Sequence, residues 1–142
     1  MWRLLATTVS ILTVVAAWAQ IPPSPQESAD KKIEPVAGKA VVYIVQPPFG
    51  TYDAGLLLDE STQIRTWPGT FYRWETTPGA HTIRSDQASL NARMKLKAEA
   101  GKVYFVQHTV NGIRGSTTDA SLGAISEKLG RQLMAKAKPC CN

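Results

Sequence analysis

Hydrophobic and polar residues alternate in short segments from Gly38 onward, and Pro or Gly residues separate these segments. Short hydrophobic segments that are separated by Pro and Gly are typical of an all-β protein. The cleanest alternation lies in residues 89–98, where one face holds Leu90, Ala92, Met94, Leu96 and Ala98 and the other holds mainly charged residues. A slip of one residue would exchange the core side chains for charges, so we expect this register to be fixed.

Seven segments are predicted as strands, namely residues 40–46, 55–59, 63–67, 70–75, 80–85, 89–98 and 103–110. Residues 40–46 are apolar on both faces, which indicates a central strand, and residues 103–110 are predicted as a second central strand. Antiparallel strands with one polar face must bury the other face against a second layer. The spacing therefore predicts a mainly β protein with an antiparallel two-sheet β-sandwich.

The end of the chain has a different period. Ile125, Leu129 and Leu133 are spaced four residues apart, which predicts one C-terminal α-helix over about residues 126–137. Ser126 is the predicted N-cap, and Glu127 and Arg131 form a predicted i,i+4 pair. Residues 120–125 fit either a last strand or the first turns of this helix.

Residues 1–19 have the features of a signal peptide, with Arg3 near the start, an apolar stretch from Leu4 and the cleavage pattern Ala17-Trp18-Ala19. The alternative is an uncleaved anchor helix, but the apolar run is shorter than the ~20 residues that a span requires. We expect cleavage, export to the periplasm or the extracellular space, and no transmembrane span afterwards. No Cys follows the apolar run, so no lipid anchor is expected.

The rest of the chain divides into three predicted parts. Residues 20–38 form a Pro-rich flexible linker, because their composition buries too little apolar surface to offset ordering entropy. Residues 39–137 form the β-sandwich domain with its helix, and residues 138–142 form a flexible tail that contains two Cys. The length, 142 residues, allows one domain. Loss of Arg3 with the signal lowers the formal net charge from +5 to +4, which is modest.

Five short motifs lie along the predicted domain. They are the opening strand from Gly38 to Val45, the hairpin around Leu58-Asp59, the Pro-Gly-x-His-x-Ile stretch from Pro78 to Ile83, the run from Leu96 to Val106, and the ending from Ile125 to Arg131. With these motifs the chain resembles, over residues 38–137, an uncharacterised bacterial exported family, domain of unknown function 2846. The resemblance implies an immunoglobulin- or transthyretin-like sandwich and no catalytic residue. Many relatives resemble lipoproteins, from which this chain departs by lacking a Cys after the signal.

A cationic row is predicted on one strand. Arg93, Lys95 and Lys97 alternate with apolar residues and therefore share a face. Such a row binds an anionic polymer such as lipopolysaccharide or a wall polymer, or it solvates an outer face and protects an edge strand from pairing. Nucleic acid is not an expected partner of an exported protein.

Aromatic residues cluster around the Pro68-Gly69 turn, where we predict a type II turn. By alternation Tyr72 and Trp74 share a face directed to the core. Phe71 shares the other face with two charged residues, so Phe71 and Trp67 are the predicted surface aromatics. Exposed aromatic rings at a rim stack on sugars or anchor a partner.

The two cysteines, Cys140 and Cys141, are adjacent. Three interpretations stay open: a vicinally bridged or reactive redox pair, an intermolecular disulfide, or an oxidised flexible tail without a role.

Little in the sequence indicates catalysis. His81 and His108 lie in predicted strands and are expected to be buried or half-buried and hydrogen-bonded to neighbours. No nucleophile, carboxylate-pair or dinucleotide-binding motif is present. The sequence thus predicts an exported, non-enzymatic binding module without cofactor or metal, whose partner is an envelope protein or an anionic or glycan polymer. The alternatives are an assembly module that pairs through an edge strand or a C-terminal disulfide and, as a third hypothesis, a small hydrolase.

Overall fold

The computed structural model describes residues 25–86, 92–112 and 119–141. Within these ranges the chain forms nine strands and two helices. The strands are β1 (Ala40–Gln46), β2 (Ala54–Leu58), β3 (Thr62–Thr66), β4 (Thr70–Thr76), β5 (Gly79–Ser85), β6 (Arg93–Ala98), β7 (Val103–Asn111), β8 (Asp119–Ile125) and β9 (Lys138–Pro139). The helices are α1 (Pro25–Asp30) and α2 (Glu127–Lys136). The predicted signal peptide lies outside the described residues.

The strands form two sheets. Sheet A has the order β8-β7-β1-β4-β9, and sheet B has the order β3-β2-β5-β6. Sheet B is antiparallel throughout, but in sheet A β1 runs parallel to β7 and β4 runs parallel to β9. The prediction of an antiparallel sandwich is therefore wrong for these two pairs. Parallel neighbours need a long crossover, and the crossover from β1 to β7 contains the whole of sheet B.

An apolar layer between the two sheets forms the first core. Sheet A contributes Val42, Ile44 and Val106, and these residues belong to one buried cluster with residues of all four strands of sheet B, namely Leu56, Leu58, Ile64, Ile83 and Leu96. The two sheets thus face each other as a β-sandwich, as predicted, and their facing sides exclude water.

A second core lies on the opposite side of sheet A. Here α2 contributes Met134, and sheet A contributes Tyr43, Phe71 and Phe105. Gly130 of α2 packs directly against the ring of Phe105. A Cβ added at this position would lie only 2.2 Å from the nearest ring atom. Sheet A is therefore covered on both faces, which is why every residue of β1 is buried.

The local predictions for the helix and the preceding segment have clear outcomes. The amide of Leu129 donates to the Ser126 side chain, which confirms the N-cap, and Arg131 pairs with Glu127 at 2.8 Å. Residues 120–125 belong to β8 and not to the helix.

At the Pro68-Gly69 turn, Gly69 has φ 78° and the amide of Thr70 donates to the carbonyl of Trp67. Both features fit the predicted type II turn.

The predicted flexible linker differs from the structure over its described part. Residues 25–30 form α1, and Ile33 is buried in the second core. The hydroxyl of Tyr43 donates to the carbonyl of Asp30 at 3.0 Å. The physical reason is that the outer face of sheet A has more apolar surface than α2 covers, so Ile33 and the partly buried Val36 cover the remainder.

The predicted flexible tail is also ordered. Residues of β9 extend sheet A beside β4, with the amide of Lys138 donating to the carbonyl of Gly69 and that of Cys140 to the carbonyl of Phe71. Cys140 is buried. The edge of β4 offers unpaired carbonyl groups, and the tail satisfies them.

Candidate functional site

The predicted cationic row lies on an edge strand. Arg93, Lys95 and Lys97 are exposed on β6, while Leu96 and Ala98 of the same strand are buried, so the predicted alternation is confirmed over the described part of this segment. Leu90 lies outside the described residues. Side chains at every second position of a strand are about 6.8 Å apart, so the row presents three evenly spaced positive charges.

Neighbouring cations on the outer face of sheet B are already paired with carboxylates. Arg84, which is in register with Arg93, contacts both carboxylate oxygens of Glu60 at 2.7 and 2.6 Å. Arg65 pairs with Asp53 at 2.7 Å. In contrast, among the described residues Arg93, Lys95 and Lys97 form no ion pair. On the outer face of sheet B, the positive charge that no described carboxylate pairs is therefore concentrated on β6.

The two predicted surface aromatics have different environments. Trp67 is 44% exposed, as predicted, but Phe71 is only 1% exposed. The prediction for Phe71 is wrong because α2 and Ile33 cover this part of sheet A, whereas Arg73 and Glu75 on the same face lie farther along β4. Tyr72 and Trp74 pack against the core between the sheets, as predicted.

The two cysteines form a disulfide with each other, with an S–S distance of 2.05 Å. The vicinally bridged interpretation is thus the one that the structure shows. The Sγ atom of Cys141 lies 2.7 Å from the carbonyl oxygen of Arg65, at the edge of β3. A disulfide sulfur has no proton, so this is a close contact and not a hydrogen bond. The disulfide thereby connects the edge of sheet A to the edge of sheet B.

A surface cleft of about 520 Å³ lies beside this disulfide. Its lining consists of Gln63, Ile64, Arg65, Trp67 and Cys141. The structure therefore brings together two of the sequence candidates, Trp67 and the cysteine pair, and leaves the cationic row at the opposite edge of sheet B. Gln63 and Arg65 were not identified from the sequence. Their place at alternate positions of β3, just before an exposed Trp, is the signal that was available.

His81 forms hydrogen bonds through both ring nitrogens. Its Nδ1 donates to Asp59 and its Nε2 donates to the carbonyl of Thr77, each at 2.6 Å. Burial lowers the pKa of His81, but the bonds to Asp59 and Thr77 outweigh this effect and the pKa is raised. Burial likewise raises the pKa of Asp59, but the bonds from the Thr82 amide and from His81 leave it lowered. The prediction that His81 is buried or half-buried and hydrogen-bonded to neighbours is confirmed, since it is 7% exposed, and neither nitrogen is free to serve as a base.

His108 lies in a fully buried polar cluster between the sheets. Gln46 donates to the carbonyl of Tyr52, so its side-chain oxygen accepts the proton of Thr66 at 2.8 Å. The Thr66 oxygen must then accept from Nδ1 of His108, 3.1 Å away, which places the proton of the neutral ring on Nδ1. Burial lowers the pKa of His108 to about 4, while the carboxylate of Asp86 opposes this. His108 is thus neutral at pH 7 and out of contact with solvent.

The described residues give no sign of a metal centre or a membrane span. No group of three or more His, Cys, Asp or Glu side chains in the described ranges is arranged to hold a metal ion. Neither helix in this part of the chain has the length and apolar character needed to cross a bilayer.

Comparison with known proteins yields no match: no family model, no curated protein and no solved structure matches this chain. The function proposed for it therefore depends on the chemistry of the described residues and on the sequence features of the N-terminal segment.

Proposed function

We propose that this protein is an exported, non-enzymatic module that binds an anionic polymer of the bacterial envelope on the outer face of sheet B. The observation that carries the proposal is the row Arg93, Lys95 and Lys97, exposed on β6 without an ion pair among the described residues. A polymer that repeats its negative charges at intervals of about 6.8 Å would contact all three side chains.

The row is suited to selective attraction of a polyanion. Each exposed ion pair contributes only about 0.2–1 kcal/mol, so three together contribute about 0.6–3 kcal/mol, which corresponds to a factor of about 3 to 150 in affinity. Arg84 and Arg65 on the same face are neutralised by Glu60 and Asp53. Binding is therefore expected to weaken with rising salt concentration, because solvent-exposed charges are screened.

The non-enzymatic role is supported by the two histidines. His81 uses both nitrogens in structural bonds, and His108 is sealed between the sheets. Neither histidine can reach a bound substrate in this arrangement, so neither can act as the general base of a hydrolase.

The place of action and the family are also proposals. The signal-like residues 1–19 support export to the periplasm or the extracellular space. The five motifs support kinship with domain of unknown function 2846, and the two facing sheets support an immunoglobulin- or transthyretin-like variant of the sandwich.

Binding to dextran sulfate, with uncharged dextran as the control ligand, tests the polymer site. The variant Arg93→Gln, Lys95→Gln, Lys97→Gln should bind dextran sulfate about tenfold more weakly or worse at low salt. A matched variant, Lys32→Gln, Lys128→Gln, Lys138→Gln, removes three exposed cations elsewhere and should keep most of the affinity. Equal losses in the two variants would reject the row as the binding surface.

The competing explanation of the row is protection of the β6 edge from pairing with another chain. In that case the Arg93, Lys95, Lys97 variant would form oligomers, seen by light scattering, while its affinity for dextran sulfate would stay unchanged. The proposed polymer site requires the opposite result: a monomer with reduced affinity.

A further inference from the structure

Trp67 and Cys141, which are far apart in the sequence, line the same surface cleft. Trp67 follows β3, and Cys141 reaches the edge of the same strand from the end of the chain, 76 residues away from Arg65. This cleft lies at the β3 edge of sheet B, opposite the cationic row on β6. It is therefore a separate site, and its role does not depend on the proposed polymer site.

The lining of the cleft is divided between apolar surface and hydrogen-bonding groups. Trp67 and Cys141 form the accessible apolar part, Ile64 also lines the cleft but is only 5% exposed, and Gln63 and Arg65 form the polar part. Trp67 remains 44% exposed although an indole has a large apolar body. A ligand that covers this cleft must therefore combine a flat apolar face with a polar rim.

The polar side chains of the lining and the backbone of Trp67 are held in place before any ligand arrives. Arg65 is fixed by Asp53 at 2.7 Å, and Gln63 donates to Asp86 at 3.1 Å. The type II turn fixes the backbone of Trp67, whose amide donates to the hydroxyl of Thr70 and whose carbonyl accepts from it. Little conformational entropy is lost when such a preorganised site binds its ligand.

We infer that this cleft binds a pyranose ring, with equatorial substituents, of a neutral glycan. A pyranose with equatorial substituents presents a flat face of C–H groups to an aromatic ring and a rim of hydroxyl groups to polar side chains. The charge of Arg65 is already balanced by Asp53, so its remaining N–H groups suit neutral hydroxyl acceptors better than an anion. The volume of about 520 Å³ lies within the range of small-ligand sites.

The disulfide fixes Cys141, which contributes apolar surface to this cleft. Bonded to each other, the two sulfurs present no thiol proton, and Cys141 stays against the carbonyl of Arg65. The pairing of β9 with β4 and the Cys140–Phe71 hydrogen bond hold the tail in this position. A tail without the disulfide would keep the strand pairing but lose the fixed contact beside Trp67.

Titration with cellotetraose, followed by the indole N–H signals in ¹H–¹⁵N spectra, tests the inference. The Trp67 signal is the one absent from a Trp67→Phe variant, and it should shift with a dissociation constant in the millimolar range or below. The variant Trp67→Leu should bind at least tenfold more weakly. Phe49→Leu alters another exposed aromatic, 65% accessible, outside the cleft lining and should bind as the unmodified protein does.

Two further variants separate this site from its alternatives. Cys140→Ser, Cys141→Ser should keep the fold and the Trp67 signal but bind cellotetraose several-fold more weakly. The Arg93, Lys95, Lys97 variant should bind cellotetraose with unchanged affinity, whatever its affinity for dextran sulfate. The inference is overturned by the absence of a Trp67 shift at millimolar cellotetraose, or by a shift that persists in Trp67→Leu at the signals of the other tryptophans.

Discussion

The two sheets differ in how much of each is covered, and this difference governs where the surface chemistry lies. Sheet A packs against sheet B on one side and against α2 and Ile33 on the other, so all of β1 is buried. No core cluster of the described residues lies on the outer face of sheet B, and β6 alternates between core residues and exposed cations. Alternation along a strand therefore predicts exposure in sheet B, but in sheet A it only distinguishes one buried side from the other.

The largest expected effect comes from Phe71, which lies on the covered outer side of sheet A. Phe71→Ala should lower the free energy of unfolding by about 3–5 kcal/mol, because the side chain is buried among Tyr43 and its neighbours and leaves a cavity. Lys95→Ala on the free face of sheet B should change it by less than about 0.5 kcal/mol. Urea unfolding measures both values. A loss below about 1 kcal/mol for Phe71→Ala would mean that this side of sheet A is open.

The second expected effect is on the pH dependence of the free energy of unfolding, to which the two histidines contribute differently. His108 extends from sheet A into the closed layer between the sheets, and burial lowers its pKa to about 4. The unfolded chain takes up this proton near pH 6.5, so the folded state loses stability as the pH falls from about 6.5 to about 4. This difference in pKa corresponds to about 3 kcal/mol. The variant His108→Asn should lack this part of the acid destabilisation, measured by urea unfolding at a series of pH values.

The pH dependence of stability that His81 of β5 contributes has the opposite sign. Its raised pKa means that its contribution is fully present below about pH 6.5 and is lost as the pH rises through the raised value. This contribution is common to the unmodified protein and to His108→Asn, so it cancels when the two are compared at each pH. Parallel curves of stability against pH for the two proteins would contradict the neutral, buried state of His108.

Much of the fold was predictable because it depends on local pattern. The bounds of β1 agree with the prediction, and Ser126 caps α2 as expected. The parallel pairing of β1 with β7 was not predictable, because the hydrophobic pattern of a strand contains no information about the direction of its neighbour. The burial of Phe71 was missed for a different reason. Its charged neighbours Arg73 and Glu75 indicate an exposed face, and the helix that covers Phe71 comes from a distant part of the chain.

The candidate site was predictable only in its separate parts. The exposure of Arg93, Lys95 and Lys97 follows from alternation on a strand with one free face. The cleft beside Trp67 depends on the tail returning to pair with β4, which places Cys141 against Arg65. Composition indicated a loose tail, because residues near a terminus have few local signals. The unpaired edge of β4 that orders this tail is a property of the assembled sheet.

The smallest of these effects concerns two glycines and tests how far α2 covers sheet A. In Gly130→Ala the new Cβ would lie 2.2 Å from the ring of Phe105, so α2 must move outward. Overpacking of this kind costs about 1–3 kcal/mol, while alanine improves helix propensity by about 1 kcal/mol, and we expect a net loss of about 1 kcal/mol. Gly123 lies on β8 at the uncovered end of the same sheet, with nothing within 4 Å of an added Cβ. Gly123→Ala should therefore raise the free energy of unfolding by about 0.5–1 kcal/mol. Urea unfolding of both variants should give opposite signs, and a gain in stability for Gly130→Ala would mean that α2 does not pack closely on Phe105.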